Sequence, residues 1–227
     1  MKVERIQDID AIVSKKDSNI AVVVLHGYGA TYQDFVPFSD IVIKDKNPSW
    51  YFLNGITPVV MGPYESGRCW FPIDMMGLER ALNNGTFSDF FKGHIPEGIE
   101  EARTKVKNVL QNLRTEYDQI YLGGFSQGSM VSADIAFHNP ELVDKLFLLS
   151  STMVAESVWS KVCQNKLPFK IFQSHGTVDP VLPIQGAREL KSFLEGSDNT
   201  PKYLEFSGAH EVPPVVVNEL DQFLRES

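Results

Sequence analysis

Apolar positions along the chain change their period several times, and each change marks an element. Ile20-Ala21-Val22-Val23-Val24-Leu25 is a continuous, largely β-branched run. That is the pattern of a strand buried on both faces. Trp50 to Leu53, Ile120 to Leu122, Leu146 to Leu149, Phe169 to Ser174 and Tyr203 to Phe206 read as further strands. Between them the period lengthens. Ile99, Ala102, Val106, Val109, Leu110 and Leu113 fall at helical spacing, with charged residues among the other positions. Helices are also predicted over 129–137, stopped by Asn139-Pro140, over 154–165, over 184–195, and near the end, where Val216, Val217, Leu220, Phe223 and Leu224 share a face. Thr31 is placed to cap a helix through Phe38 and Ile41. Residues 1–19 fit a helix or an edge strand equally. Strands alternating with helices predict a single α/β domain over 1–227, with a mainly parallel central sheet and helices on both faces.

One stretch breaks this rhythm. Residues 54–96 carry Pro58, Gly62, Pro63, Tyr64, Gly67, Trp70, Phe71 and Pro72 with no clear period. An irregular stretch of that length inside a compact domain points to function. Aromatic residues beside a cleft suit apolar ligands, so Trp70 and Phe71 are expected to contact substrate.

Candidate chemistry centres on Gly124-Phe125-Ser126-Gln127-Gly128. A strand precedes it and a helix follows. A G-x-S-x-G turn in that setting presents the serine hydroxyl above the sheet edge. The same letters also suit a plain turn, so the decision rests on whether a base, an acid and an oxyanion pocket accompany Ser126. Serine is a weak nucleophile until a base takes its proton. His210, in the loop after the last strand, is the candidate base. His26 and His175 precede glycines at strand ends, His94 lies in the irregular stretch, and His138 ends the helix after Ser126. The acid is expected between Ser126 and His210. Asp134 is too near Ser126 in the chain, Asp144 sits at the wrong strand end, and Glu189 and Glu195 read as solvated helix positions. Asp179 remains, just past a strand's carboxyl end, with Asp198 and Glu205 as fallbacks. For the oxyanion, the backbone N–H groups of Gln127 and Tyr28 are expected donors, because one follows the serine and the other lies in the loop after an earlier strand.

Composition narrows the partners. The net charge of −8 argues against nucleic acid and anionic membranes as main partners. The 43% hydrophobic content with no aliphatic run near 20 residues predicts a globular chain without an integral membrane segment. Only Cys69 and Cys163 are present. Two thiols and a charged N-terminus, Met1-Lys2-Val3-Glu4-Arg5, lead to the expectation of a cytoplasmic protein. No histidine or cysteine spacing suggests a metal site.

Together, Leu25-His26-Gly27-Tyr28-Gly29, Gly123-Gly124-Phe125-Ser126-Gln127-Gly128, His175-Gly176-Thr177-Val178-Asp179-Pro180-Val181-Leu182-Pro183 and Gly208-Ala209-His210-Glu211 resemble the phospholipase/carboxylesterase branch of the α/β-hydrolases, which includes the acyl-protein thioesterases. The resemblance implies an α/β-hydrolase fold and a Ser126–His210–Asp179 triad, with Tyr28 and Gln127 as oxyanion donors. It further implies hydrolysis of small-molecule or lipid acyl esters with apolar chains, no cofactor, and a homodimer as a common state. Within the branch, thioesterase or lysophospholipase action is the alternative; a non-catalytic binding protein on the same fold is a reading of another class. The chain departs from the family pattern at Ala30, where many relatives carry Asp, at Ala209, where Gly is usual, and in Trp70-Phe71-Pro72-Ile73-Asp74, where residues are inserted before the aspartate.

Overall fold

A computed structural model describes residues 1–60, 62 and 66–226. The chain opens with a hairpin of β1 (Lys2–Ile6) and β2 (Ile9–Ser14), then enters β3 (Ile20–Leu25) and β4 (Ser49–Leu53). A second hairpin joins β5 (Thr57–Val60) to β6 (Ser66–Cys69), followed by helices α1 (Met75–Asn83), α2 (Phe87–Lys92) and α3 (Ile99–Arg114). The remainder alternates strictly: β7 (Gln119–Phe125), α4 (Gln127–His138), β8 (Lys145–Leu149), α5 (Glu156–Val162), β9 (Lys170–Gly176), α6 (Ile184–Gly196), β10 (Lys202–Phe206) and α7 (Pro214–Arg225).

Eight strands form one sheet in the order β1-β2-β4-β3-β7-β8-β9-β10. The β1–β2 and β2–β4 pairs are antiparallel, and every pair from β4 to β10 is parallel. The period of two sorts side chains between two cores. Ala21, Val23, Leu25, Ile120, Leu122, Leu146 and Leu148 meet α3, α4 and α6 on one face. Val22, Val24, Tyr121, Phe147 and Leu149 meet α7 and the segment around Phe38 on the other. Alternation thus buries both faces of the central strands, as their unbroken apolar runs required.

Two expectations change. The helix expected over 31–41 is reduced to a 3-10 turn at Val36–Asp40. Its apolar residues Phe35 and Phe38 lie three apart, the 3-10 period, and their rings meet edge to face at 5.0 Å. The stretch 54–96 is not irregular: it contains β5, β6, α1 and α2. Its two strands have four residues each and carry Pro58 and Gly67, too short and too punctuated to show a period. The Asp74 side chain caps α1 by accepting from Gly77 N at 2.9 Å. Pro63 and Tyr64 lie outside the described residues. The helix expected over 154–165 is confined to α5, and within residues 1–19 the first hairpin occupies 2–14. Among the described residues, no helix is long and apolar enough to cross a membrane.

Candidate active site

The parallel strands β3, β7 and β9 end on one side of the sheet, and loops from those ends and from the end of β10 converge there. Ser126 occupies the turn between β7 and α4 at φ 54° and ψ −120°. A non-glycine residue at positive φ costs on the order of 1–3 kcal/mol. That cost is tolerated because the surroundings fix the turn: Ser126 N donates to Leu149 O at 2.9 Å, and Ser126 O accepts from Ser129 N at 3.0 Å. At Gly124 and Gly128 an added Cβ would run into the backbone of Leu25, so the turn closes against the end of β3 only with glycine there.

Asp179 is held by its own turn. Its Oδ1 accepts from Val181 N and Leu182 N, both at 2.8 Å. Its Oδ2 lies 2.6 Å from His210 Nδ1. A carboxylate can only accept here, so Nδ1 carries the hydrogen and Nε2 is left with its lone pair. Burial would raise the Asp179 carboxyl, but the bonds from His210, Leu182 and Val181 outweigh it and hold the group below the ordinary carboxylate value. The His210 ring packs on Phe125, with centroids 4.7 Å apart. Behind it, His175 Nε2 lies 2.7 Å from Leu182 O and 3.4 Å from Asp179 Oδ2. Nε2 is therefore a donor, and burial pushes the His175 pKa down, keeping the ring neutral.

Asp134, Asp144 and Glu205 are engaged elsewhere. Asp134 bonds Arg103 at 3.0 Å and Trp159 Nε1 at 2.9 Å. Asp144 binds Arg114 and Ile120 N at the opposite end of the sheet. Glu205 is paired in bidentate fashion with Arg188.

The loop His26–Ala30 runs beside Ser126. A Cβ on Gly27 would lie 3.3 Å from the Phe125 ring and 3.4 Å from Ser126 Cβ. Tyr28 and Gln127 line the same cleft as Ser126 and His210. Gln127 begins α4, where the first amides have no acceptor within the helix. His26 is not positioned as a metal ligand or base. Its Nδ1 lies 2.7 Å from Gly27 O, and its Nε2 accepts from Gly55 N at 2.8 Å. Both nitrogens are used, and burial lowers its pKa.

The cleft encloses about 630 Å³, and apolar side chains form its walls: Phe35, Phe38, Ile73, Leu78, Phe91 and Met130 among them. Trp70 and Phe71, expected on the substrate, do not line it. They are 0% and 1% exposed and belong to the core. The neighbouring Ile73 and Met75 take the lining position instead. The Asp74 cap was the available sequence signal, since it starts the helix that carries Met75 and Leu78. Among the described residues, no group of three or more His, Cys, Asp or Glu is placed to hold a metal.

With this architecture the chain belongs to the phospholipase/carboxylesterase family, whose model matches residues 7–227. It is similar to acyl-protein thioesterase 1 of Eremothecium gossypii, with 22% identity over 212 residues, 90% of this chain and 86% of the relative. The enzyme of the same name from Emericella nidulans is 29% identical over 169 residues, 68% of this chain and 66% of the relative. Among solved structures, esterase PE8 superposes with a TM-score of 0.77 at 21% identity, covering 96% of this chain and 98% of that one. A carboxylesterase from Mesorhizobium loti gives 0.78 at 14% identity, covering 100% and 99%. The fold is that of the α/β-hydrolases.

Proposed function

We propose that the protein is a serine esterase that hydrolyses esters or thioesters of apolar acyl chains through an acyl-enzyme on Ser126. The observation that carries this reading is the 2.6 Å Asp179–His210 bond, made beside a cleft that Ser126 shares with His210. His210 Nε2 takes the Ser126 proton as Oγ attacks the carbonyl carbon. The negative charge on the former carbonyl oxygen falls to the N–H groups of Tyr28 and Gln127. His210 then gives the proton to the departing alkoxide or thiolate. Water, activated by the same histidine, releases the acid.

The apolar walls favour alkyl chains on the acyl side. Relatives named acyl-protein thioesterase support thioester cleavage as a second activity of the same site. A purely non-catalytic role is disfavoured, because Ser126, Asp179 and His210 are all retained and the last two are hydrogen-bonded to each other. Cys69 and Cys163, both buried free thiols, support a reducing, cytoplasmic setting for the chain. A homodimer is the remaining expectation of the family, and light scattering reads it directly.

The test is an acyl-chain scan from two to sixteen carbons on oxygen esters and thioesters, with wild type and Ser126→Ala side by side. Wild type is expected to turn over at least one series and Ser126→Ala neither. Retained turnover in Ser126→Ala would assign the chemistry to another nucleophile.

A further inference from the structure

The residues around the proposed oxyanion donors are tied to one short segment, Arg68–Phe71, by bonds that span the chain. Trp70 Nε1 donates to His26 O at 2.8 Å. Trp70 N donates to the Gln127 side-chain oxygen at 2.9 Å, and the Gln127 side-chain nitrogen donates to Phe71 O at 2.6 Å. Arg68 makes two backbone bonds to the loop: Gly29 N donates to Arg68 O at 2.9 Å, and Arg68 N donates to Ala30 O at 2.9 Å. The Arg68 guanidinium donates to Gly55 O at 2.6 Å, and Gly55 N donates to His26 Nε2. Gln127, Trp70 and His26 are each 1% exposed or less.

This circuit joins the two donors from opposite sides. Tyr28 lies between Gly27 and Gly29; the first is bonded by His26 and the second by Arg68. Gln127 is bonded by Trp70 and Phe71 through its own side chain. A hydrogen-bonding pair of donors stabilises a transition state only when their separation is set before the oxyanion forms, and a misplacement near 1 Å can cost about a hundredfold in rate. The neutral state of His26 belongs to the same design. Its Nδ1–H must donate to Gly27 O while Nε2 accepts from Gly55 N, an arrangement that a protonated ring cannot keep.

We infer that Trp70 and the Gln127 side chain are positioning residues that fix the distance between the Tyr28 and Gln127 N–H donors, acting on the transition state without touching the substrate. The inference rests on the proposed Ser126 chemistry. It also gives Trp70 a role in the site from within the core, where substrate contact is closed to it.

The test uses Trp70→Phe, which keeps a ring but removes the Nε1 donor, and Gln127→Met, which keeps length but removes both bonds. For each, kcat and KM are measured on a short-chain p-nitrophenyl ester, together with Ki for a trifluoromethyl ketone of matching chain length, whose adduct with serine carries an oxyanion. The expected result is a fall in kcat of about tenfold to a hundredfold with KM within about twofold, and a rise in Ki by the same factor. Because both variants loosen one circuit, the double variant should lose less than the product of the two single losses. If either folded variant keeps kcat within about twofold, or if KM rises while Ki stays put, the assignment is overturned. Should Trp70→Phe fail to fold, Gln127→Met decides alone, since its site is the first turn of α4. Turnover that survives in Ser126→Ala would instead defeat the underlying esterase reading, whatever the two variants do.

Discussion

On one flank of Ser126, Asp179 is held by amides two and three residues further along its own turn. On the other, His26 and Trp70 are joined across 44 residues, and Trp70 and Gln127 across 57. The proposed acid flank is local and the proposed oxyanion flank is assembled. A local turn brings its partners with it wherever the strand end goes. An assembled flank depends on β5, β6 and the following segment docking correctly on β3 and α4. The contrast predicts different responses to substitution: loss of a chemical group on the first flank, and loss of spacing on the second.

The largest expected effect lies on the acid flank. Asp179→Asn should lower kcat by about 10⁴, because an amide that donates to His210 Nδ1 favours the wrong tautomer. Steady-state kinetics check this, and near-full activity would transfer the acid role to Glu205 or Asp198. The smaller losses expected of Trp70→Phe and Gln127→Met then measure how far the assembled flank matters to the same reaction.

A milder effect is expected at the cleft wall. Ile73→Ala should move the preference toward longer acyl chains, by about tenfold in relative kcat/KM, the lower end of the roughly 1–3 kcal/mol that one methylene in an apolar pocket is worth. A chain-length profile identical to wild type would remove Ile73 from the acyl pocket.

The smallest effect is on stability, and it involves both flanks. His26 and His175 are buried neutral, with pKa values pushed down by burial. Asp34 and Arg68 are the charges acting on His26; Asp179, His210 and Glu205 are those acting on His175. In the unfolded chain a histidine titrates near 6.5. Below that value the unfolded state binds more protons than the folded one, so stability is present above about pH 6.5 and is lost as the pH falls. The slope is at most about 1.4 kcal/mol per pH unit for each histidine. Asp179, whose folded pKa is depressed, adds a loss only as the pH falls below the ordinary carboxylate value. Urea unfolding between pH 8 and 5 reads the histidine part, and stability that rises on acidification would contradict it.

The same contrast explains what could be read from the residues alone. β3, β7 and β8 announce themselves, since each holds an apolar run bounded by turn residues. The turns at Ser126, Asp179 and His210 follow because each sits just past the end of a strand, β7, β9 and β10 in turn. The segment 54–96 was opaque for physical reasons. β5 and β6 are short, and β6 is bonded to a loop some 40 residues earlier, at Gly29 and Ala30. Pairing of that kind leaves no periodic trace. Trp70 illustrates the limit most clearly. Its large apolar ring in a glycine- and proline-rich stretch suggested contact with substrate, yet its indole and backbone N–H groups are bonded to His26 and Gln127 inside the core. The cleft wall went to residues a few positions on, where the Asp74 cap turns the chain into α1.

The central claim is that Ser126 is the nucleophile presented between these two flanks. Labelling with a fluorophosphonate, followed by intact-mass analysis and peptide mapping, tests it most directly. One adduct per chain on Ser126, abolished in Ser126→Ala, is the predicted result; an unlabelled wild-type protein, or an adduct carried by a different residue, would contradict it.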